Sequence, residues 1–123
     1  MRECSLLLMV CAAFAQGALA RSYLHCPAKK VVIVSTSSGT ISSSVEEDVD
    51  FWIYEAAKSL TLADGTRLIV HRFDDRWISA ARGDVSYELD RQDGNLTYAG
   101  SATKDGVTTI IIGSGRCKPA PAR

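Results

Sequence analysis

Turn signals that recur about every ten residues constrain the fold of this chain more than any other feature of its sequence. They are rich in aspartate and glycine, and they stand at Asp64-Gly65, Asp74-Asp75, Arg82-Gly83-Asp84, Asp93-Gly94-Asn95 and Asp105-Gly106. The segments between them are strand-like. In one, Val85, Tyr87 and Leu89 alternate with polar residues, which is typical of a half-buried strand. The pattern predicts a mainly β fold, an antiparallel meander that curls into a small barrel or sandwich.

The segment before these turns is less regular. Residues 30–35 are rich in β-branched side chains and predict a well-buried first strand. The serine-rich stretch 36–44 has little apolar content and predicts a long loop or a poorly ordered edge.

Two structures can be drawn for residues 45–60. Ser44 and Glu47 have the spacing of a capping box, which favours a helix. The aromatic and β-branched block 51–54, followed by alternating leucines in 59–62, favours a hairpin instead. We expect the hairpin because everything that follows has a hairpin rhythm.

The first twenty residues have the features of a secretory signal peptide. Residues 5–15 form an uninterrupted run of apolar or small residues, shorter than the roughly 20 residues that a membrane-spanning helix needs. Small residues in 18–20 match a signal-peptidase site. The sequence predicts cleavage after Ala20 and a periplasmic or secreted protein. The alternative is a buried N-terminal helix.

Removing residues 1–20 leaves two cysteines, Cys26 and Cys117, one near each end of the mature chain. In an exported protein such a pair predicts a disulfide. The bond would close a loop of about 90 residues, worth roughly 4–5 kcal/mol in the chain-entropy model. We expect no metal site, because only His25 and His71 could add imidazole ligands and no cluster has ligand spacing.

The domain organisation follows from these signals. We expect an N-terminal approach in 21–29, a single β domain in 30–117 and a flexible tail in 118–123, after the signal peptide. The formal net charge is zero and no basic stripe stands out, which argues against nucleic acid and anionic membranes as partners. No second apolar stretch is long enough to span a membrane. The oligomeric state stays open.

Three blocks of the chain carry a resemblance. They are FWIYEAAKSLTLADGT in 51–66, RFDDRWISA in 72–80 and DRQDGNLTYAGSATKDGVTTIIIGSGRC in 90–117. Together they resemble small exported proteins of alphaproteobacteria that have no established activity, which implies a periplasmic setting. A looser analogy of architecture links the chain to the periplasmic inhibitors of lysozyme. Their SGSGARY-type loop is not matched here, since 113–116 reads GSGR and no tyrosine follows.

Catalysis finds little support in the sequence. A serine hydrolase needs a histidine base beside its nucleophile, but His25 lies in the N-terminal approach and His71 lies mid-strand. No nucleophile elbow is present. The acidic pair Asp74-Asp75 has the composition of a turn, and adjacent strand residues point to opposite faces. We therefore predict no catalytic, cofactor-binding or metal-binding residues.

Aromatic and basic residues form the best candidate binding patch: Trp52, Tyr54, Arg72, Arg76 and Trp77. These residue types anchor recognition sites when they are partly exposed. The alternative is that both tryptophans belong to the core. We expect a non-catalytic exported domain that binds a protein or envelope partner. A carrier of a small apolar or amphipathic ligand is the alternative, and a hydrolase a remote one.

Overall fold

The computed structural model describes residues 21–121, in which every regular element is a β-strand. The predicted signal peptide, residues 1–20, lies outside the described residues. The strands of the described part are β1 (Ser22–His25), β2 (Pro27–Thr36), β3 (Gly39–Asp48), β4 (Phe51–Tyr54), β5 (Ser59–Leu62), β6 (Ile69–Phe73), β7 (Trp77–Arg82), β8 (Val85–Asp90), β9 (Asn95–Lys104), β10 (Val107–Arg116) and β11 (Lys118–Ala120).

The strands form two antiparallel sheets. The larger has the order β3-β2-β10-β9-β8-β7-β6, and its part from β6 to β10 is the predicted meander. The smaller has the order β11-β1-β4-β5. Between them, β5 meets the segment before β6 through the isolated bridge from Thr61 to Arg67, with hydrogen bonds from Leu62 N to Thr66 O and from Leu68 N to Leu60 O. The sheets therefore form an open sandwich, and the barrel alternative is not closed.

One continuous ladder joins the two sheets. β2 pairs with β10 in the larger sheet, and β1 pairs with β11 in the smaller one in the same register. His25 lies opposite Lys118, and Ala28 lies opposite Gly115. This register places Cys26 directly across from Cys117, and the predicted disulfide links them. The bond thus stands where both strands pass from one sheet to the other.

The core lies between the base of the larger sheet and the smaller sheet. Strand β4 turns Phe51 and Ile53 inward, and the facing residues alternate along their strands as the pleat requires. The buried apolar side chains of this cluster include Phe51, Ile53, Leu60, Leu62, Leu68, Ile78, Ala80, Leu89, Leu96 and Tyr98. Tyr87 extends it, packing edge-on against Phe51 and stacking on Tyr98. The short strands of both sheets therefore contribute to one hydrophobic core.

Residues 45–60 form the expected hairpin and not a helix, since β4 and β5 pair from Phe51–Leu62 to Tyr54–Ser59. Of the two predictions for 36–44, the long loop is wrong; the segment does lie at an edge of the sheet, but as a regular strand and not a poorly ordered one. The chain turns at Ser37 and Ser38 and returns as β3, which pairs with β2 along its whole length. The serines here have weak strand propensity of their own, and the regular β2 template sets their conformation.

Both ends of the described chain are also more regular than expected. The approach in 21–29 contains β1 and the start of β2, and Lys118–Ala120 in the predicted flexible tail forms β11. Tyr23 lies opposite Ala120. The disulfide at Cys117 fixes the chain immediately before β11, so the short strand needs little additional ordering to pair with β1.

Candidate functional site

Half of the larger sheet extends beyond the smaller sheet, and we call this part the wing: residues 31–45 of β2 and β3 together with 99–112 of β9 and β10. No residue of the wing is buried, although the strands are regular and fully registered. The base of the same sheet is covered by the smaller sheet and holds the core. The wing is therefore a four-stranded sheet of exposed and half-buried side chains, in which Ile111 alone among the apolar residues of 31–45 and 99–112 packs against the core cluster.

The wing carries apolar residues on both faces. Ile33 pairs with Ile110 and Val31 with Ile112 on one face, while Val32, Val34 and Ile111 alternate onto the other. Four of its large apolar side chains are exposed: Ile41 at 74%, Ile112 at 52%, Val45 at 44% and Val107 at 36% of their full area. Most antiparallel sheets keep a clean alternation of apolar and polar faces. A sheet with apolar residues on both exposed faces offers surface to a partner.

Strand β3 is the longer free edge of the wing; residues 101–104 of β9, which continue past its pairing with β8, form a second, short one. All ten residues of β3 pair with β2 on one side, and within residues 21–121 no strand pairs with its other side. The pairing has no bulge, and from Gly39 to Val45 the strand contains neither proline nor a charged residue. Bulges, prolines and charges are the devices that normally protect an edge. Here only the acidic run 46–48 supplies one, at the end nearest the base.

The opposite edge of the same sheet, β6, is protected. Its register with β7 shifts between Val70 and Arg72, so that His71 is the extra residue of a β-bulge. Arg72 is charged and forms an ion pair with Asp74, from Nε to Oδ2 at 2.7 Å. The bridge from Thr61 to Arg67, two residues before β6, also brings β5 alongside. The β6 edge therefore carries a bulge and a charged residue within the strand, whereas residues 39–45 of β3 carry neither.

A polar network holds the base of β3 to the sheet. Glu47 accepts hydrogen bonds from Lys30 Nζ (3.1 Å) and from the Tyr98 hydroxyl (2.6 Å). The Tyr98 ring lies over Gly113, its cross-strand partner, where any side chain would overlap with it. Burial raises the pKa of the Tyr98 hydroxyl, and the adjacent Glu47 carboxylate raises it further. The neutral phenol therefore remains a donor, and β3 is anchored at one end.

The predicted aromatic and basic patch is divided between the two sheets. Trp52 and Tyr54 lie on the outer face of the smaller sheet, because Phe51 and Ile53 between them point inward. The Arg21 guanidinium stacks over the Trp52 ring at 3.9 Å and donates to the Tyr54 hydroxyl at 3.1 Å.

The other three patch residues lie around the β6–β7 turn. Arg72 pairs with Asp74, while Arg76 stacks on the Trp77 ring at 5.3 Å and donates to Asp90 at 3.2 Å. Burial opposes ionisation of Asp90, but the Arg76 hydrogen bond and two backbone amides lower its pKa. Within residues 21–121 no hydrogen bond, ion pair or ring contact joins this group to Trp52 or Tyr54. The sequence did not reveal that division.

A second polar cluster lies where β1 meets the disulfide. Asp50 accepts hydrogen bonds from the Tyr23 hydroxyl (2.8 Å), from the Cys26 amide (3.0 Å) and, when Nδ1 carries a proton, from His25 (3.0 Å). Burial opposes ionisation of Asp50, but these donors together lower its pKa. The N-terminal approach in which the sequence places His25 is a strand here, and His25 lies opposite Lys118 of β11.

A trough of about 680 Å³ runs across the face of the larger sheet that is turned away from the core. Its lining includes Lys29, Val31, His71, Ser79, Glu88 and Ile112. Ser79 donates to Glu88 at 3.3 Å. Within the described chain His71 forms no hydrogen bond to a serine, as a hydrolase would need.

In residues 21–121 no group of three or more histidine, cysteine, aspartate or glutamate side chains is placed to hold a metal ion. The same residues contain no helix with the length and apolarity to cross a bilayer. No protein-family model, curated protein or solved structure matches the chain. The geometry described above is therefore the ground for assigning a function.

Proposed function

We propose that this chain is an exported, non-catalytic domain that binds an extended segment of another polypeptide by adding it as a strand alongside β3. The observation that carries the proposal is the regular, unprotected edge of β3, contrasted with the bulged and charged edge of β6. In strand addition, main-chain hydrogen bonds supply affinity and alternate side chains supply specificity. In the described part of the chain, the β3 edge of the wing offers free main-chain groups for these hydrogen bonds and exposed side chains at alternate positions.

The exposed side chains indicate what an incoming strand would meet. Ile41 and Val45 lie on one face of the wing, two positions to either side of Ser43. A strand with apolar residues at matching alternate positions would extend the apolar row formed by Val34 and its neighbours. The opposite face of β3 presents Thr40, Ser42 and Ser44, which tolerate many partners.

Two observations support an extracytoplasmic setting. The disulfide between Cys26 and Cys117 is compatible with an oxidising compartment. The predicted signal peptide and the resemblance to exported alphaproteobacterial proteins both favour the periplasm, so we propose a protein or envelope partner located there.

A photo-crosslinking amino acid at Ser42 tests the proposal in a bacterial periplasm. We expect discrete covalent adducts from this position on the β3 edge, and their loss when Ser43→Lys places a charge on the edge. The same amino acid at Ala57, in the exposed turn of the smaller sheet, is the matched control. Identical adduct patterns from both positions, or none from Ser42, would contradict strand addition at β3.

The trough provides one observation in favour of the carrier alternative. Its volume of about 680 Å³ falls within the range of small-molecule sites, roughly 300–1,000 Å³. A native mass spectrum of protein purified from a periplasm tests this directly. Added mass that departs on denaturation, and that is reduced when Ile112→Glu charges the trough, would establish a carrier in place of a strand-binding module.

A further inference from the structure

We propose that the segment added to β3 is the β3 strand of a second copy of this chain, paired antiparallel about a two-fold axis through Ser43. This inference rests on the proposed function, and it names the partner. Two-fold pairing joins the same surface on both copies. The two larger sheets would become one continuous sheet, in which the β3 edge of each copy is paired.

The exposed apolar residues select the register. If residue i pairs with residue 86 − i of the other copy, Ile41 lies opposite Val45 and Ser43 lies opposite itself. Because odd positions face odd positions, both apolar contacts form on the same face of the sheet. The two contacts are related by the two-fold axis, and together they remove four exposed side chains from solvent. About nine residue pairs form, with roughly eight to ten main-chain hydrogen bonds.

Neighbouring registers fail this test. In the proposed register the numbers of two paired residues add up to 86. In the register where they add up to 84, Ile41 lies opposite Ser43, and where they add up to 88 it lies opposite the carboxylate of Glu47. A sum of 82 pairs Ile41 with itself but moves Val45 opposite the β2–β3 turn. Register slips of one residue would place the apolar face of one copy on the polar face of the other.

The charge pattern of β3 favours the same register. Its acidic run 46–48 would face 38–40 of the other copy, which read Ser-Gly-Thr. Like charges directly opposite one another destabilise a strand pair, and in this arrangement no carboxylate of the run faces another. One acidic half and one neutral half make the strand complementary to its own antiparallel copy.

Sedimentation equilibrium of the full chain purified from a bacterial periplasm tests the proposal between roughly 1 μM and 1 mM. The wild type is expected to dimerise. Ile41→Glu combined with Val45→Glu places like charges opposite each other twice, and should raise the dimer dissociation constant at least about tenfold. Ile41→Lys combined with Val45→Glu places opposite charges there, and should restore dimerisation to within about fivefold of the wild type.

The paired variants distinguish this register from a nonspecific hydrophobic dimer. Both double variants remove the same exposed apolar area, so a dimer that depends on that area alone would weaken equally in the two, which would overturn the proposal. A wild type that stays monomeric at every concentration would also overturn it. If that monomer still gives discrete adducts with other proteins from Ser42, strand addition stands and only self-pairing fails. A monomer without such adducts would end both.

Discussion

Reducing the bond between Cys26 and Cys117 should remove a large share of the stability of the domain. The two residues are 91 positions apart, and a cross-link over that distance lowers the entropy of the unfolded chain by about 15 cal/mol/K. At 25 °C this amounts to about 4.6 kcal/mol. Small domains are stable by only about 5–15 kcal/mol, so we expect the reduced protein to be marginal.

Urea unfolding of the oxidised protein and of protein refolded in reductant provides the measurement. The difference in the free energy of unfolding should be about 4–5 kcal/mol, with a larger m value for the reduced form because its unfolded chain is less compact. A Cys26→Ala, Cys117→Ala variant is the packing control. Cys26 is fully buried, so the variant should lose about 1–2 kcal/mol more than the reduced wild type.

A reduced protein that loses less than about 2 kcal/mol would refute the reasoning. Such a result would mean that the ladder from β1–β11 into β2–β10 already restricts the unfolded ensemble. It would also mean that the disulfide contributes only a small part of the free energy of unfolding.

Three further substitutions probe the core and its polar anchors. Gly113→Ala brings a methyl group into the Tyr98 ring and should cost about 1–3 kcal/mol in thermal or urea unfolding, with Ser114→Ala unaffected. Tyr98→Phe leaves Glu47 without its phenol donor and should cost about 1.5–3 kcal/mol; an unchanged midpoint would show that the network does not anchor β3. Asp50→Asn should cost about 1–2 kcal/mol near neutral pH. Because the folded-state pKa of Asp50 lies below the usual 3.8, its contribution is full above that value and disappears as the pH falls below it. The difference from wild type in urea titrations should therefore shrink between about pH 6 and pH 2, and a constant difference would exclude an ionised Asp50 as its source.

The features that depend on neighbouring residues in the chain could be predicted from the sequence. Turns such as Asp93-Gly94 specify where strands reverse, and alternation around Val85 and Leu89 specifies which face is buried. The disulfide followed from the cysteines that remain, Cys26 and Cys117, once residues 1–20 are set aside as a signal peptide. The turns and the alternation depend on residues close together in the chain. The disulfide joins distant residues, but each cysteine had only one possible partner.

Features set by distant pairing were not predicted. Nothing within 36–44 indicates a regular strand, because its conformation comes from ten registered partners on β2. The position of β3 at the edge depends in turn on β2 pairing with β10, from Ala28–Gly115 to Ser35–Thr108. A sequence shows residue types, but strand order decides which of them lie at an edge.

Because the sequence does not show strand order, it also gave the wrong grouping for the candidate binding patch. Trp52 and Trp77 are conspicuous residue types, and residue type alone grouped them in one candidate patch. Each tryptophan instead has its own arginine stacked on it, on a different sheet. The wing was less conspicuous because its exposed site consists mainly of serine, threonine and backbone, with only Ile41 and Val45 as anchors.

The position of the disulfide also determines how the domain would respond to mechanical force. Residues 21 and 121 leave the fold side by side, at the open end of the β1–β11 ladder. Force applied to both would peel this ladder and the β1–β4 pairing one residue at a time, and would then reach the covalent bond between Cys26 and Cys117. Everything between the two cysteines would carry no tension. A protein tethered through both ends could therefore stretch by a few residues while its core and its wing stayed folded.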